Sequence, residues 1–329
     1  MLINTLACTA SATQYNQSDY TIAENSNLKG VTTPLYEEVP TTTYITIDTP
    51  DGELKVADET YKRLGKEKIS QNYADYKKLY KELSKNVSRD NSTKAIASAS
   101  YNPVTQQSTK TLSEYALTYE RTWFSPTNNQ HPTYLYGYIN PQVNSNPYGE
   151  SYVSYHEREI YLNNYQDCVE FISDQRSNGQ TYIWVAVYDN NFTQPVSPNL
   201  FSLSVQVQNP VEYIFQITSG DSSYNCWIND IYTGQVYYSN YVDTDNFSSY
   251  ITYCAGSTEL YYISPILWSY TTQTTITDYY TRVGSSLCRT SDVFSVSNTE
   301  NQPYVYAHGV IDTYYRDMYS VHIAGPGQS

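Results

Sequence analysis

No lysine occurs after Lys110 in this chain of 329 residues, although the first 110 residues hold eleven. The following 219 residues carry six Arg against twenty Asp+Glu, whereas residues 1–110 hold thirteen basic and thirteen acidic side chains. The whole formal charge of −14 therefore belongs to the back part, and so sharp a change of composition predicts a domain boundary. An acidic surface has the wrong sign for a phosphate backbone, so nucleic acid is not an expected partner. Long apolar runs are missing too. The longest near-continuous one, Tyr182 to Tyr188, has seven residues, where a membrane-spanning helix needs about 18. Charge is scarce throughout, at 16% of residues against about 25% in an ordinary globular chain.

The usual signatures of chemistry are absent as well. The four histidines do not form HExxH, and His156-Glu157-Arg158-Glu159 lacks the second histidine of a zinc helix. No GxSxG elbow, P-loop or GxGxxG occurs. These absences predict no metal and no cofactor, and leave carboxyl and amide chemistry. The cysteines have no CxxC spacing, and beyond Cys8 they number four, Cys168, Cys226, Cys254 and Cys288. An even set of this kind predicts two disulfides in an oxidising compartment, with all three pairings open. Five sequons, at Asn16, Asn86, Asn91, Asn191 and Asn246, fit a glycosylated, exported surface. The N-terminal MLINTLACTASA ends in small residues but lacks a basic start, and reads as the remnant of a signal peptide over residues 1–12. Secretion into an acidic environment is the expected destination.

What the chain has in abundance is tyrosine, 39 residues, which favours half-buried strands. Residues 43–57 alternate around Pro-Asp-Gly and predict a hairpin. From Tyr61 to Val87, Ile69, Tyr73, Tyr76, Tyr80, Leu83 and Val87 recur at helical steps, with Lys and Glu between them, which predicts an amphipathic helix. Together these make a small α+β leader over 13–87. Residues 88–112 lose both periodicities and read as a linker. After residue 113 short strand-like runs such as YLYGYIN, TYIWVAVYD, VEYIFQIT, YNCWIND and QVYYSNY alternate with turn residues. Such spacing predicts an antiparallel β-sandwich or jelly roll over 113–329.

Several of these runs, in order and spacing, resemble the glutamic peptidase (eqolisin) family. The relevant pieces are Gln166 to Phe171, the strand Tyr182 to Tyr188, Ser219-Gly220-Asp221, Asn229 with Thr233-Gly234-Gln235, and Thr258-Glu259-Leu260-Tyr261, with Cys254 five residues before the glutamate. Upstream, YLYGYIN at 134–140 looks like the family's Trp-Val-Gly-Ile-Asp strand. The resemblance implies two bent antiparallel sheets, with Gln166 and Glu259 as the catalytic pair on the concave side. Glu170, Tyr182, Trp184 and Tyr261 would lie near a substrate groove. In such a site a carboxylate takes a proton from water, and the amide donates to the developing oxyanion. The sequence departs from the family where Gln-Thr-Gly becomes Gln166-Asp167-Cys168 and where Thr258 replaces Ala. It further implies an acid endopeptidase acting on peptides and proteins. The leader would be a propeptide and intramolecular inhibitor, held to the acidic domain through its lysines and released as carboxylates protonate. The alternative reading is a noncatalytic extracellular sandwich, an adhesin, envelope component or carbohydrate-binding module. A glycosidase would need two carboxyls, for which Glu170 and Glu259 are candidates.

Overall fold

The computed structural model describes residues 43–90, 118–143, 152–162, 167–176, 181–188, 203–205, 210–218, 220, 222–231, 233–242, 249–262, 272–300 and 305–324. The signal-peptide remnant, most of the 88–112 linker and the sequons at Asn16, Asn91, Asn191 and Asn246 lie outside the described residues. In chain order the elements begin with β1 (Tyr44–Thr49), β2 (Gly52–Ala57), α1 (Asp58–Asp90), β3 (Thr118–Pro126), β4 (Pro132–Val143), β5 (Tyr152–Leu162) and β6 (Asp167–Arg176). They continue with β7 (Thr181–Tyr188), β8 (Leu203–Val205), β9 (Val211–Thr218), β10 (Ser223–Asp230), β11 (Val236–Val242) and β12 (Ile251–Tyr262). The last are β13 (Thr272–Val283), β14 (Ser286–Arg289), α2 (Thr290–Val293), β15 (Phe294–Glu300), β16 (Val305–Asp312) and β17 (Asp317–Ala324).

The strands form two sheets. A ten-stranded sheet runs β1-β2-β11-β10-β9-β4-β13-β17-β16 with β14 beside β13, and a seven-stranded sheet runs β15-β3-β12-β5-β6-β7-β8. All pairings are antiparallel except β2 with β11. Alternation explains how the sheets stack. In β9, Val211, Tyr213, Phe215 and Ile217 join the core between the sheets, together with Phe171 and Val185 of the seven-stranded sheet. The intervening Ile214 joins a second cluster with Trp227, Tyr134, Tyr136 and Tyr238 on the outer face of the ten-stranded sheet. A sheet covered on both faces needs near-continuous apolar strands rather than an alternating pattern, which is what the runs in β9 to β11 supply.

Helix α1 covers that outer face. Its Ile69, Tyr73, Tyr76, Leu79 and Leu83 are buried in the second cluster, and Tyr76 stacks on Trp227 at 4.6 Å between centroids. Asn72 donates to Tyr238 Oη at 2.7 Å and Tyr80 to Glu212 at 3.2 Å. Lys62, Lys66, Lys78, Lys81 and Lys85 stand exposed on the far side. The helix is longer than the 61–87 periodicity predicts and kinks at Gly65, whose φ of 73° is open to glycine at little cost. No helix among the described residues is long and apolar enough to cross a membrane.

One sequence expectation is corrected. Cys168, Cys226, Cys254 and Cys288 form no disulfide among the described residues. Tyr161 pairs with Cys168, whereas the neighbouring Ile160 pairs with Cys254, so these two cysteines point to opposite faces of one sheet. Cys226 lies in the other sheet and Cys288 on the short β14. The YLYGYIN run is β4 of the ten-stranded sheet, whereas Glu259 is in the seven-stranded one.

Candidate active site

Glu259 lies on β12 with Tyr119 of β3 on one side and Tyr155 of β5 on the other. Because side chains alternate, the register defines the shared face. It carries Glu259, Ser257 and Ala255 of β12, Tyr155, Glu157 and Glu159 of β5, and Glu170 and Cys168 of β6. Arg121 of β3 belongs to the same face, opposite Ser257. This is the side of the seven-stranded sheet turned away from the core. The helix covers the other sheet, so α1 does not lie over these residues.

The face concentrates acids. Glu159 is directly opposite Glu170. Glu157 is directly opposite Ser257 and therefore diagonal to Glu259, a placement of about 7–8 Å between backbones that long side chains bridge. All four glutamates are buried, at 3% exposure or less. Burial pushes the Glu157 carboxyl well above the usual range, and Glu170, Glu259 and Glu159 push it further, while the Ser257 hydrogen bond opposes them. Ser257 Oγ donates to Glu157 Oε2 at 2.9 Å. Arg121 Nε donates to Glu159 Oε1 at 2.9 Å, with both side chains buried. A proton-retaining carboxyl beside other carboxylates is the arrangement from which acid–base pairs are built.

Gln166 lies outside the described residues. Its neighbour Asp167 pairs with Leu162, which is seven residues along β5 from the Tyr155 that faces Glu259. At about 3.3 Å per residue those two positions of β5 are roughly 23 Å apart. Glu170 joins the acidic face, and Tyr182 lies half-buried opposite Asp174. The backbone of Trp184 pairs with Ile172 and that of Tyr261 with Val153.

Sequence reasoning missed Glu157, Glu159, Arg121 and Ser257. The signal available was the alternation in HEREI, which puts two glutamates on one side of a strand and His156 and Arg158 on the other. Those two point inward, where Arg158 Nη2 meets Asp278 Oδ2 at 2.7 Å. His156 sits there between Ser154 Oγ and Thr258 Oγ1, each at 3.0 Å. Glu159, Cys168 and Glu170 also place one donor atom each within 4.8 Å of one another, the one such group of three among the described residues.

No family model matches the chain, and no curated protein does. Among solved structures it is similar to Scytalido-glutamic peptidase bound to a peptide-based transition-state analogue, at 10% identity and TM-score 0.41, covering 64% of this chain and 99% of that one. SCP-B, a member of the eqolisin family in complex with the tripeptide Ala-Ile-His, gives 9% identity and TM-score 0.39 over 64% of this chain and 99% of the other. Winged bean acidic lectin complexed with methyl-α-D-galactose gives 8% identity and TM-score 0.28 over 65% and 94%. Similarities this distant assign no chemistry to individual residues.

Proposed function

We propose that the chain is a secreted acid endopeptidase, made as a proenzyme, in which Glu259 and Glu157 form the working pair. The observation that carries this reading is the diagonal placement of Glu157 and Glu259 on one face, with Ser257 bonded to Glu157. Glu157 takes the place that the sequence resemblance reserves for Gln166. In its ionised form Glu259 removes a proton from water as the oxygen adds to the peptide carbonyl. Glu157, holding its proton, donates to the carbonyl oxygen. Collapse of the tetrahedral intermediate then passes a proton to the departing amine. Burial and the neighbouring Glu259 favour the protonated form of Glu157, and a pair that holds one proton in this way belongs to acidic pH.

Glu259 is 1% and Glu157 2% exposed, so a peptide enters only after this face opens. Maturation by cleavage within 88–112 frees the segments on either side of the cut to move, and is the step assigned to that opening. The same burial is the observation that favours the second reading, a noncatalytic extracellular sandwich whose glutamates are structural. The test is incubation of processed protein with a denatured protein substrate between pH 2 and 5. Wild type and Gln166→Ala should cleave, while Glu259→Gln and Glu157→Gln should lose at least about a hundredfold in rate, the usual worth of general acid–base catalysis. No cleavage by processed wild type would favour the noncatalytic sandwich. Full activity in Glu157→Gln with loss in Gln166→Ala would restore the glutamine as partner.

A further inference from the structure

One part of the glutamate face has a donor set that peptide hydrolysis by Glu259 and Glu157 does not use. Glu159 and Glu170 face each other across β5 and β6, and Cys168 is two residues before Glu170 on the same side. Their donor atoms lie within 4.8 Å of one another and all three side chains are buried. Cys168 forms no disulfide among the described residues. Arg121 holds Glu159 by Oε1, and Glu159 Oε2 is buried with no hydrogen-bond partner among the described residues. A buried carboxylate oxygen left in that state is costly. Glu157 and Glu259 add two more acids to the face. A bound cation would relieve both the orphaned oxygen and the excess of like charge.

We propose that Glu159, Cys168 and Glu170 bind a divalent transition-metal ion that accepts a thiolate, Zn2+ being the representative. Hard ions such as Ca2+ and Mg2+ take oxygen donors in larger sets. One sulfur and two carboxylates instead suit a borderline ion in tetrahedral coordination, with a fourth position left for water. Arg121 then acts as an outer partner, orienting Glu159 by one oxygen and leaving the other for the metal. The ion would tie β5 to β6 beside the proposed catalytic pair. Glu259 takes no part in it, so metal binding stands or falls independently of peptide cleavage.

The full chain should be produced in medium supplemented with Co2+, and its metal content and absorption measured after exhaustive dialysis. The expected result is one Co2+ per chain, with visible ligand-field bands and a thiolate-to-cobalt charge-transfer band. Cys168→Ser should abolish the charge-transfer band, whereas Cys288→Ser should leave it unchanged. Should Cys168→Ser fail to fold, Glu170→Gln serves in its place, with affinity lowered more than about tenfold. Absence of Co2+ from folded wild type overturns the proposal. So does a charge-transfer band that survives in folded Cys168→Ser, or undiminished affinity in Glu170→Gln.

Discussion

Replacing Tyr76 with alanine should loosen helix α1 from the ten-stranded sheet far more than removing the helix's charge. Tyr76 is 4% exposed and stacks on Trp227 at 4.6 Å, on Tyr73 at 5.7 Å and on Tyr80 at 5.7 Å. Truncating a buried aromatic to alanine costs about 3–5 kcal/mol. In a protein of this size each kcal/mol moves Tm by about 2–4 °C, so a drop of roughly 10 °C is expected. The exposed lysines are a different case. Lys66, Lys78 and Lys81 stand on the solvent side, and exposed charges of this kind contribute about 0–1 kcal/mol each. Their triple replacement by glutamine should shift Tm by only a few degrees. The assay is thermal unfolding combined with hydrogen exchange at the α1 amides, at pH 7 and pH 3.5. Loss of α1 protection in the lysine variant or on acidification of wild type, with protection intact in Tyr76→Ala, would refute aromatic docking and restore a charge-held, acid-released leader.

Other expectations follow from the same packing. Burial pushes Glu120 up to about 9, Asp317 to about 7 and Asp278 to about 6. These groups bind protons more tightly folded than unfolded, so their contribution is full below pH ~4 and lost as pH rises through the folded values. His156, pushed down to about 3 by burial, contributes above pH ~6.5 and loses its effect as pH falls towards 3. Tm measured from pH 2 to 9 should therefore peak in the acid range, decline towards pH 9 and collapse below about 4; a Tm that climbs from pH 5 to 9 would contradict this. Arg158→Met should cost about 3–5 kcal/mol, because it strands the fully buried Asp278; urea unfolding measures it, and a loss under 1 kcal/mol would show the pair to be unimportant. Gly256→Ala should cost about 1–3 kcal/mol, since a Cβ there would meet Ser320 Oγ at 2.4 Å and His322 Nε2 at 2.5 Å; an unchanged midpoint would mean that the facing strand yields freely. Thiol labelling in denaturant without reductant should modify Cys168, Cys226, Cys254 and Cys288, and incomplete labelling would reveal a disulfide among them.

The strands were legible because each is a local event. Turn chemistry was legible for the same reason. In the β10–β11 hairpin the Asp230 carboxylate accepts from Thr233 N at 3.2 Å, and Gly234 takes a φ of 67°, so residues within six positions settle the geometry. Helix α1 was visible from its apolar stripe, but a stripe names a face and not the surface it meets, and neither the Gly65 kink nor the outer sheet could be read from it. The site shows the limit most clearly. Glu259 and Glu170 could be picked out by local motif, yet which residue stands beside Glu259 depends on the pairing of β12 with β5, about 100 residues apart. A shift along that pairing leaves every local pattern intact and changes the whole neighbourhood.

The two faces of the molecule also bear on what the leader does. Within residues 43–90, β1 and β2 form the edge of the ten-stranded sheet and α1 lies on its outer side, whereas the glutamates lie on the outer side of the seven-stranded one. Helix α1 thus forms a third layer of the fold, on the sheet that does not carry the glutamates. Removing residues 1–90 would bare Tyr134, Tyr136, Ile214, Trp227, Val236 and Tyr238, which are now buried in the cluster with the helix. A contiguous apolar patch of that kind drives association, and β11 would in addition lose its neighbour β2 and become an open edge. A chain beginning at residue 91 should therefore aggregate, whereas the same chain produced together with a separate 1–90 fragment should be soluble and carry that fragment through size-exclusion chromatography. A monomeric, soluble 91–329 would show that the layer is dispensable, and that the leader can leave the folded protein after all.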